Sequence, residues 1–183
     1  MNSLEDRIIR GARKAQEKYL KMTGGYWIWH GPESFLQTVV ATELAHDHWV
    51  YVDTSTKRVR VDMKRGPGRP TDDLRKRLDI SIWNKSDNRL RAIIEIKRSW
   101  TVAPVKKDAV KIEKYLKSKQ RPRAGYILAY SEAKKNGQLD RVEFLEQRFA
   151  KWQKALAWKR IHSIFGTKGD DEWAWGFCLF RCP

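Results

Sequence analysis

The chain contains little cysteine and no long apolar run. Cys178 and Cys182 are the only cysteines in 183 residues. If both lie on one strand, about 13 Å separates them, beyond the roughly 7 Å that a disulfide bridges, so we expect two reduced core residues rather than a disulfide or a metal site. No apolar run approaches the ~20 residues of a membrane-spanning helix, and the N-terminus lacks a signal-peptide pattern. These absences predict a cytoplasmic protein with no membrane partner.

Acidic residues are scarce relative to basic ones. The 22 Asp and Glu are outnumbered by 38 Lys and Arg, which gives a formal net charge of +16 and a pI near 10.0. Such a charge favours polyanions as partners, so we expect the protein to bind nucleic acid, with DNA as the first choice and RNA as the alternative. The length suits one domain, 1–183, which can bury a sufficient core without disulfides.

Residues 77–100 predict a β-hairpin. Residues 78–83 alternate apolar and polar side chains, residues 92–97 are rich in β-branched side chains, and the segment between them contains the turn formers Asn, Ser and Asp. Two antiparallel strands joined by a short connection are therefore expected.

Two carboxylates and a lysine are expected to share one face of this hairpin. Side chains of a strand alternate between faces, so Glu95 and Lys97 point the same way. If the hairpin is centred on Asp87, Asp79 lies opposite Glu95, with Cβ atoms roughly 5 Å apart. Like charges placed opposite each other need compensation, which a hard divalent cation with oxygen ligands supplies. A lysine beside that ion could orient a bound water and stabilise phosphate charge, which indicates phosphodiester hydrolysis.

Asp79, followed by Glu95-Ile96-Lys97 at the end of an apolar strand, resembles the PD-(D/E)xK (restriction-endonuclease-like) nuclease superfamily. The resemblance implies an α/β domain with a central mixed β-sheet flanked by helices, and metal-dependent endonucleolytic cleavage of DNA. It also implies that Asp79 and Glu95 hold Mg²⁺, with Mn²⁺ as the alternative. The carbonyl of Ile96 would be a further ligand, and Lys97 would position the attacking hydroxide.

Glu33 is a further candidate ligand. A helix is predicted to begin near Gly31-Pro32, because proline suits the first helical position, and Glu33 lies in its first turn. Nucleases of this superfamily often carry an acidic residue there, in an order that resembles archaeal-type Holliday junction resolvases. The helix dipole alone would also favour Glu33. Glu43 is the alternative, because it falls on the apolar arc bounded by Phe35 and Leu44, where a charge needs a partner.

Two basic segments flank the hairpin. Residues 57–77 form a Gly- and Pro-containing loop with a net charge of +6, and residues 97–123 carry a net charge of +8. Within the first, residues 64–70 resemble an AT-hook with an additional proline, Pro67. A phosphate-binding groove is expected between the two segments. The predicted nucleic-acid contacts are Lys64, Arg65, Arg69, Arg75, Lys76, Arg98, Lys106 and Lys107.

The remaining segments predict the rest of the α/β domain. The expected elements are an N-terminal helix within 1–25, a first strand over 49–52 that 59–63 extends or pairs with, a helix from 105 to about 119, a buried strand over 125–130, a helix from about 138 to 159, and a last strand over 173–181. The strand–helix–strand order after the hairpin implies a parallel crossover. Residues 137–183 would form a C-terminal helix and an edge strand, and the helix would cover the sheet or form a homodimer interface.

Two other functions are compatible with this sequence. A nucleic-acid-binding protein of the same fold would need only the basic segments and no catalysis. A basic, RNA-associated structural protein would make the alignment of Asp79 with Glu95 and Lys97 a coincidence. The sequence predicts neither the sequence specificity nor the mode of cleavage.

Overall fold

The structure, a computed structural model, describes residues 3–55, 77–117, 122–134, 140–167 and 173–183. The predicted strand over 59–63 and most of the basic loop over 57–77 lie outside these residues. The same holds for five of the predicted nucleic-acid contacts: Lys64, Arg65, Arg69, Arg75 and Lys76.

Helices flank a mixed sheet in the described part of the chain. The helices are α1 (Leu4–Thr23), α2 (Glu33–Leu44), α3 (Val102–Leu116) and α4 (Arg141–Leu156), with a short 3-10 helix at Ile28–His30. The strands are β1 (His48–Ser55), β2 (Arg77–Asn84), β3 (Leu90–Arg98), β4 (Ala124–Lys134), β5 (Lys159–Thr167) and β6 (Trp173–Arg181). They form one sheet in the order β1-β2-β3-β4-β6-β5. Among the described strands, only β3 and β4 pair in parallel, so the α/β class and the mixed sheet are confirmed.

Local chemistry accounts for both ends of α1 and for the start of α2. Ser3 and Asp6 form a reciprocal capping box, which satisfies two backbone N–H groups at the start of α1. The helix ends at Gly24, whose φ of 68° glycine adopts without steric cost. Pro32 immediately precedes α2, one residue before the helix begins. This start places Glu33 in the first turn of α2, as predicted.

The hairpin has the predicted register. Ile80 pairs with Ile94 across β2 and β3, which is the pairing that a centre at Asp87 gives, and a bulge between Ile82 and Trp83 shifts the register only near the turn. Ile94 and its even-numbered neighbours join a core cluster with α1 and α2, whereas Ile93 joins a cluster with α3 and α4. The alternation therefore separates two cores on opposite faces of the sheet.

The prediction of an edge strand over 173–181 is wrong. β6 pairs with β4 on one side and with β5 on the other, and β5 takes the edge position. The apolar spacing predicts a helix from about 138 to 159, but α4 ends at Leu156, and Ala157, which follows it, adopts a left-handed φ of 56°. An alanine rarely marks such an end. The side chains of β5 are mostly half-buried and do not alternate clearly, so no period-two pattern revealed the strand.

Other boundaries differ by a few residues. α3 begins at Val102, three residues before the predicted start at 105. Pro104 is tolerated in the first turn of the helix, because no backbone N–H is needed there for a helical hydrogen bond. Cys178 is buried and Cys182 half-buried, and neither forms a disulfide, as expected. Among the helices that the structure describes, none has the length and apolar character needed to cross a bilayer.

Candidate active site

Asp79 and Glu95 lie side by side on adjacent strands. Ile80 of β2 pairs with Ile94 of β3 at the end of the ladder, and Asp79 and Glu95 are the next residues outward on the two strands. One carboxylate oxygen of Asp79, Oδ2, accepts a hydrogen bond from the backbone N–H of Ile96 at 2.7 Å. The Gln37 amide from α2 donates to the Asp79 carbonyl. The backbone of the hairpin and a side chain of α2 therefore fix the position of Asp79.

The Glu95 carboxylate is buried and incompletely hydrogen-bonded. The residue is 3% exposed. Lys111 Nζ of α3 lies 2.8 Å from both carboxylate oxygens and donates a hydrogen bond to Oε2, but Oε1 has no hydrogen-bond partner among the described residues. Burial, together with the neighbouring charge of Asp79, raises the pKa of Glu95 to about 8. Burial also raises the pKa of Asp79, so the two carboxylates resist ionising together.

Lys97 lies on the same face and is held by Asp108 of α3. Lys97 Nζ is 3.3 Å from Asp108 Oδ2, and the lysine side chain is 26% exposed. Burial lowers the pKa of Lys97, but the charges of Asp108, Glu33 and Asp79 outweigh it and raise the pKa overall. The lysine therefore keeps its positive charge at neutral pH and presents it at a partly open position.

Two charged residues of α3, Asp108 and Lys111, belong to the site but are not among the residues predicted from the sequence. Asp108 and Lys111 are three residues apart, so they lie on adjacent turns of one helix face. Asp108 falls within the buried arc that contains Ile112 and Tyr115. A charge on such an arc needs a partner. The position of Asp108 on the arc is therefore a signal in the sequence, of the same kind that made Glu43 a candidate.

Glu33 lies at the end of β3, next to Lys97. Its Oε1 accepts a hydrogen bond from the backbone N–H of Arg98 at 2.8 Å, and its charge is among those that raise the pKa of Asp79 and of Lys97. The Arg98 guanidinium in turn donates to the carbonyls of Trp29 at 2.7 Å and Gly31 at 3.2 Å. These contacts hold the beginning of α2 against the end of β3 and bring all four predicted catalytic residues into one region.

Glu43 has a different environment. Arg10 and Lys14 of α1 pair with its two carboxylate oxygens at 2.5 and 2.6 Å, and Glu43 is 7% exposed. The hydrogen bond from Lys14 is the largest cause of its lowered pKa. Glu43 therefore has the partners that its buried position requires, and it stabilises the packing of α1 on α2.

Three of the predicted nucleic-acid contacts are described. Lys106 and Lys107 are exposed in the first half of α3, the helix that carries Asp108 and Lys111. Arg98 is also exposed, although one of its guanidinium nitrogens is engaged by two carbonyls. Lys106 and Lys107 immediately precede Asp108, the partner of Lys97.

The donor set fits a hard divalent cation in part. The described residues contain no group of three or more His, Cys, Asp or Glu side chains placed to hold a metal ion. However, the Asp79–Glu95 pair offers oxygen donors, the class that Mg²⁺ prefers. Oε1 of Glu95 is buried and, among the described residues, contacts only the Lys111 ammonium through an ion pair without a hydrogen bond, so it could also accept a metal ion. The predicted ligands are Asp79, Glu95, the Ile96 carbonyl and Glu33.

Fold and site define an α/β protein with a six-stranded mixed sheet and a cluster of paired charges where β2 and β3 meet α3. Comparison with protein-family models, with curated proteins and with solved structures finds no match. Membership of the PD-(D/E)xK superfamily therefore stays a prediction from the sequence motif.

Proposed function

We propose that the protein is a metal-dependent nuclease that hydrolyses phosphodiester bonds in DNA, with a restriction-endonuclease-like core. One observation carries the proposal. Glu95 is buried beside Asp79, its carboxyl contacts Lys111 as its one charged partner of opposite sign among the described residues, and Lys97 is held on the same face. Burying two carboxylates together is unfavourable unless a cation joins them.

The order of the elements supports the same proposal. α2 precedes three antiparallel strands, β1 to β3, and α3 then crosses to β4, which is parallel to β3. The resemblance to the superfamily implies this crossover after the Glu-Ile-Lys strand. It also implies an acidic residue on the helix before the sheet, the position of Glu33.

In this function Mg²⁺ would lower the pKa of a bound water and neutralise charge on the phosphate. Asp79 and Glu95 would provide the carboxylate oxygens that hold the ion, with the Ile96 carbonyl and Glu33 as further ligands. Lys97 would orient the attacking water and stabilise charge on the phosphate. Asp108 positions the Lys97 ammonium group, and Lys111 contacts the Glu95 carboxyl in the absence of a cation.

The charge distribution suits a nucleic-acid substrate. The net charge of +16 attracts the phosphate backbone over a distance. Lys106 and Lys107 are exposed on the helix that packs over the site. Contacts of this kind position a backbone without reading its sequence, so they support DNA cleavage without indicating a specificity.

A cleavage assay tests the proposal. Purified protein is incubated with supercoiled plasmid, linear duplex, single-stranded DNA, RNA and a four-way junction, each with Mg²⁺, Mn²⁺ or EDTA. We expect metal-dependent cleavage that Asp79→Ala and Lys97→Ala each abolish, whereas Glu146→Ala, an exposed acid on α4, retains it. Cleavage by Asp79→Ala at the wild-type rate would exclude this site.

One observation favours a second candidate, a nucleic-acid-binding protein of the same fold without catalysis. The Lys111 ammonium already lies 2.8 Å from Glu95 and compensates part of its charge. An internal lysine in that position could replace the cation permanently. Thermal unfolding in increasing Mg²⁺ distinguishes the two, because an ion that binds the native state raises the apparent stability. No shift with Mg²⁺ or Mn²⁺ would favour the binding protein.

A further inference from the structure

A pair of tryptophan rings lies directly beside the candidate active site. Trp100 follows β3, three residues after Lys97, and its ring packs against Trp29 with centroids 5.0 Å apart and an interplanar angle of 33°. Trp29 is half-buried, whereas Trp100 is 58% exposed. One ring therefore supports the other, and the outer ring offers much of its surface to a ligand.

The contacts around Trp29 hold this pair in place. The Trp29 ring packs edge-on against Tyr130 of β4, with centroids 6.0 Å apart. The Arg98 guanidinium lies 5.7 Å from the Trp29 ring centre and donates a hydrogen bond to the backbone carbonyl of Trp29. Arg98 also donates its backbone N–H to Glu33. The residues that position Glu33 at the site thus also position the tryptophan pair.

The surroundings of Trp100 indicate what its ring would contact. Three residues of chain keep the Cα atoms of Lys97 and Trp100 within about 10 Å of each other. A ligand that touches both side chains needs an aromatic surface and an anionic group, which a nucleotide combines. A protein with a net charge of +16 attracts nucleic acid. Nucleobases stack on tryptophan when they are unpaired, whereas the bases of an intact duplex stack on each other.

We propose that Trp100 stacks an unpaired nucleobase and that the preferred substrate is therefore single-stranded DNA or a duplex with an unpaired end or junction. This inference rests on the proposed nuclease function for the identity of the ligand. The stacked base places its neighbouring phosphate toward Lys97, while Trp29 keeps the Trp100 ring in a fixed orientation. A base that is already unpaired avoids the free-energy cost of opening the duplex.

Binding measurements in EDTA test the inference without requiring cleavage. Fluorescence anisotropy follows a labelled oligothymidylate and a labelled blunt-ended DNA duplex in wild type, Trp100→Ala, Trp100→Phe and Trp173→Ala. Trp173 is the matched control, because it is also exposed, at 36%, but lies at the start of β6 with Lys134 near its ring. We expect Trp100→Ala to weaken oligothymidylate binding about tenfold, within the range for one stacked base, and binding of the blunt duplex by less than about twofold. Trp100→Phe should recover most of the affinity, and Trp173→Ala should change neither.

The outcomes separate this inference from the proposed function. Equal affinities of wild type and Trp100→Ala for the oligothymidylate would overturn the stacking role, as would an equal loss for both ligands. Wild-type protein that binds neither ligand would overturn it too. If Trp100→Ala shows the selective loss but no metal produces cleavage, the stacking site stands and the nuclease proposal fails.

Discussion

Replacing Glu95 with glutamine should make the protein more stable at alkaline pH. The unfolded chain ionises this carboxyl near pH 4.5, whereas the folded protein retains its proton up to a pH of about 8, because burial and the charge of Asp79 oppose ionisation. Between these two values the folded state binds more protons than the unfolded state, so the free energy of unfolding falls as the pH rises. Above pH 8 Glu95 is ionised in both states, and the fall in the free energy of unfolding is complete. Glu95→Gln removes the titration and with it this part of the pH dependence.

The size of the effect follows from the pKa. Each pKa unit corresponds to about 1.4 kcal/mol, so a rise from 4.5 to about 8 corresponds to about 5 kcal/mol. Because Glu95 is only 3% exposed, water screens little of this energy. A domain typically has about 5–15 kcal/mol of stability in total, so the metal-free protein should be marginally stable above pH 8.

Urea denaturation in EDTA over a series of pH values measures the difference. We expect the free energy of unfolding of the wild type to fall relative to that of Glu95→Gln by about 5 kcal/mol between pH 4.5 and 8. Glu146→Gln provides the control for removing an exposed acid. In Mg²⁺ the fall should shrink, because a bound cation stabilises the ionised carboxylate. A difference that stays constant with pH would refute the argument that Glu95 is kept protonated by its environment.

Three further predictions concern the residues around the site. Lys111→Met should enlarge the Mg²⁺-induced rise in melting temperature under alkaline conditions, because the ammonium no longer competes for Glu95; a smaller rise would show that Lys111 helps to hold the ion. Asp108→Asn should lower kcat about tenfold with little change in KM, because Lys97 loses its positioning partner, and Asp108→Glu should restore part of the rate. Glu43→Gln should lower the free energy of unfolding by about 2 kcal/mol through its lost ion pairs, while DNA cleavage in Mg²⁺ stays within about twofold; a larger loss in the folded variant would link Glu43 to catalysis.

Local sequence chemistry was sufficient where neighbouring residues determine the structure. The helix start near Pro32 and the hairpin register both follow from patterns within a few residues, and both are confirmed. The hairpin register is the most informative of these predictions, because it alone places Asp79 and Glu95 side by side.

Tertiary contacts determine what the sequence did not predict. Lys111 is only one of many lysines on a basic helix, and the approach of α3 to β3 alone selects it as the partner of Glu95. In the same way, the edge strand β5 forms because β6 offers a free edge, although its own residues show no clear alternation. Neither the pairing of Lys111 with Glu95 nor the strand β5 is indicated by a pattern of neighbouring residues in the sequence.

The alternating charges of the site also bear on whether the protein is a nuclease or only binds nucleic acid. β3 supplies Glu95 and Lys97, and α3 supplies the opposite charge to each, Lys111 and Asp108. A protein that only bound nucleic acid would gain nothing from an incompletely hydrogen-bonded carboxylate at position 95, and glutamine there would be more stable. Costly arrangements of this kind are typical of functional sites. If Glu95→Gln is more stable and binds nucleic acid as tightly as the wild type but does not cleave it, the cost of burying Glu95 is attributable to catalysis.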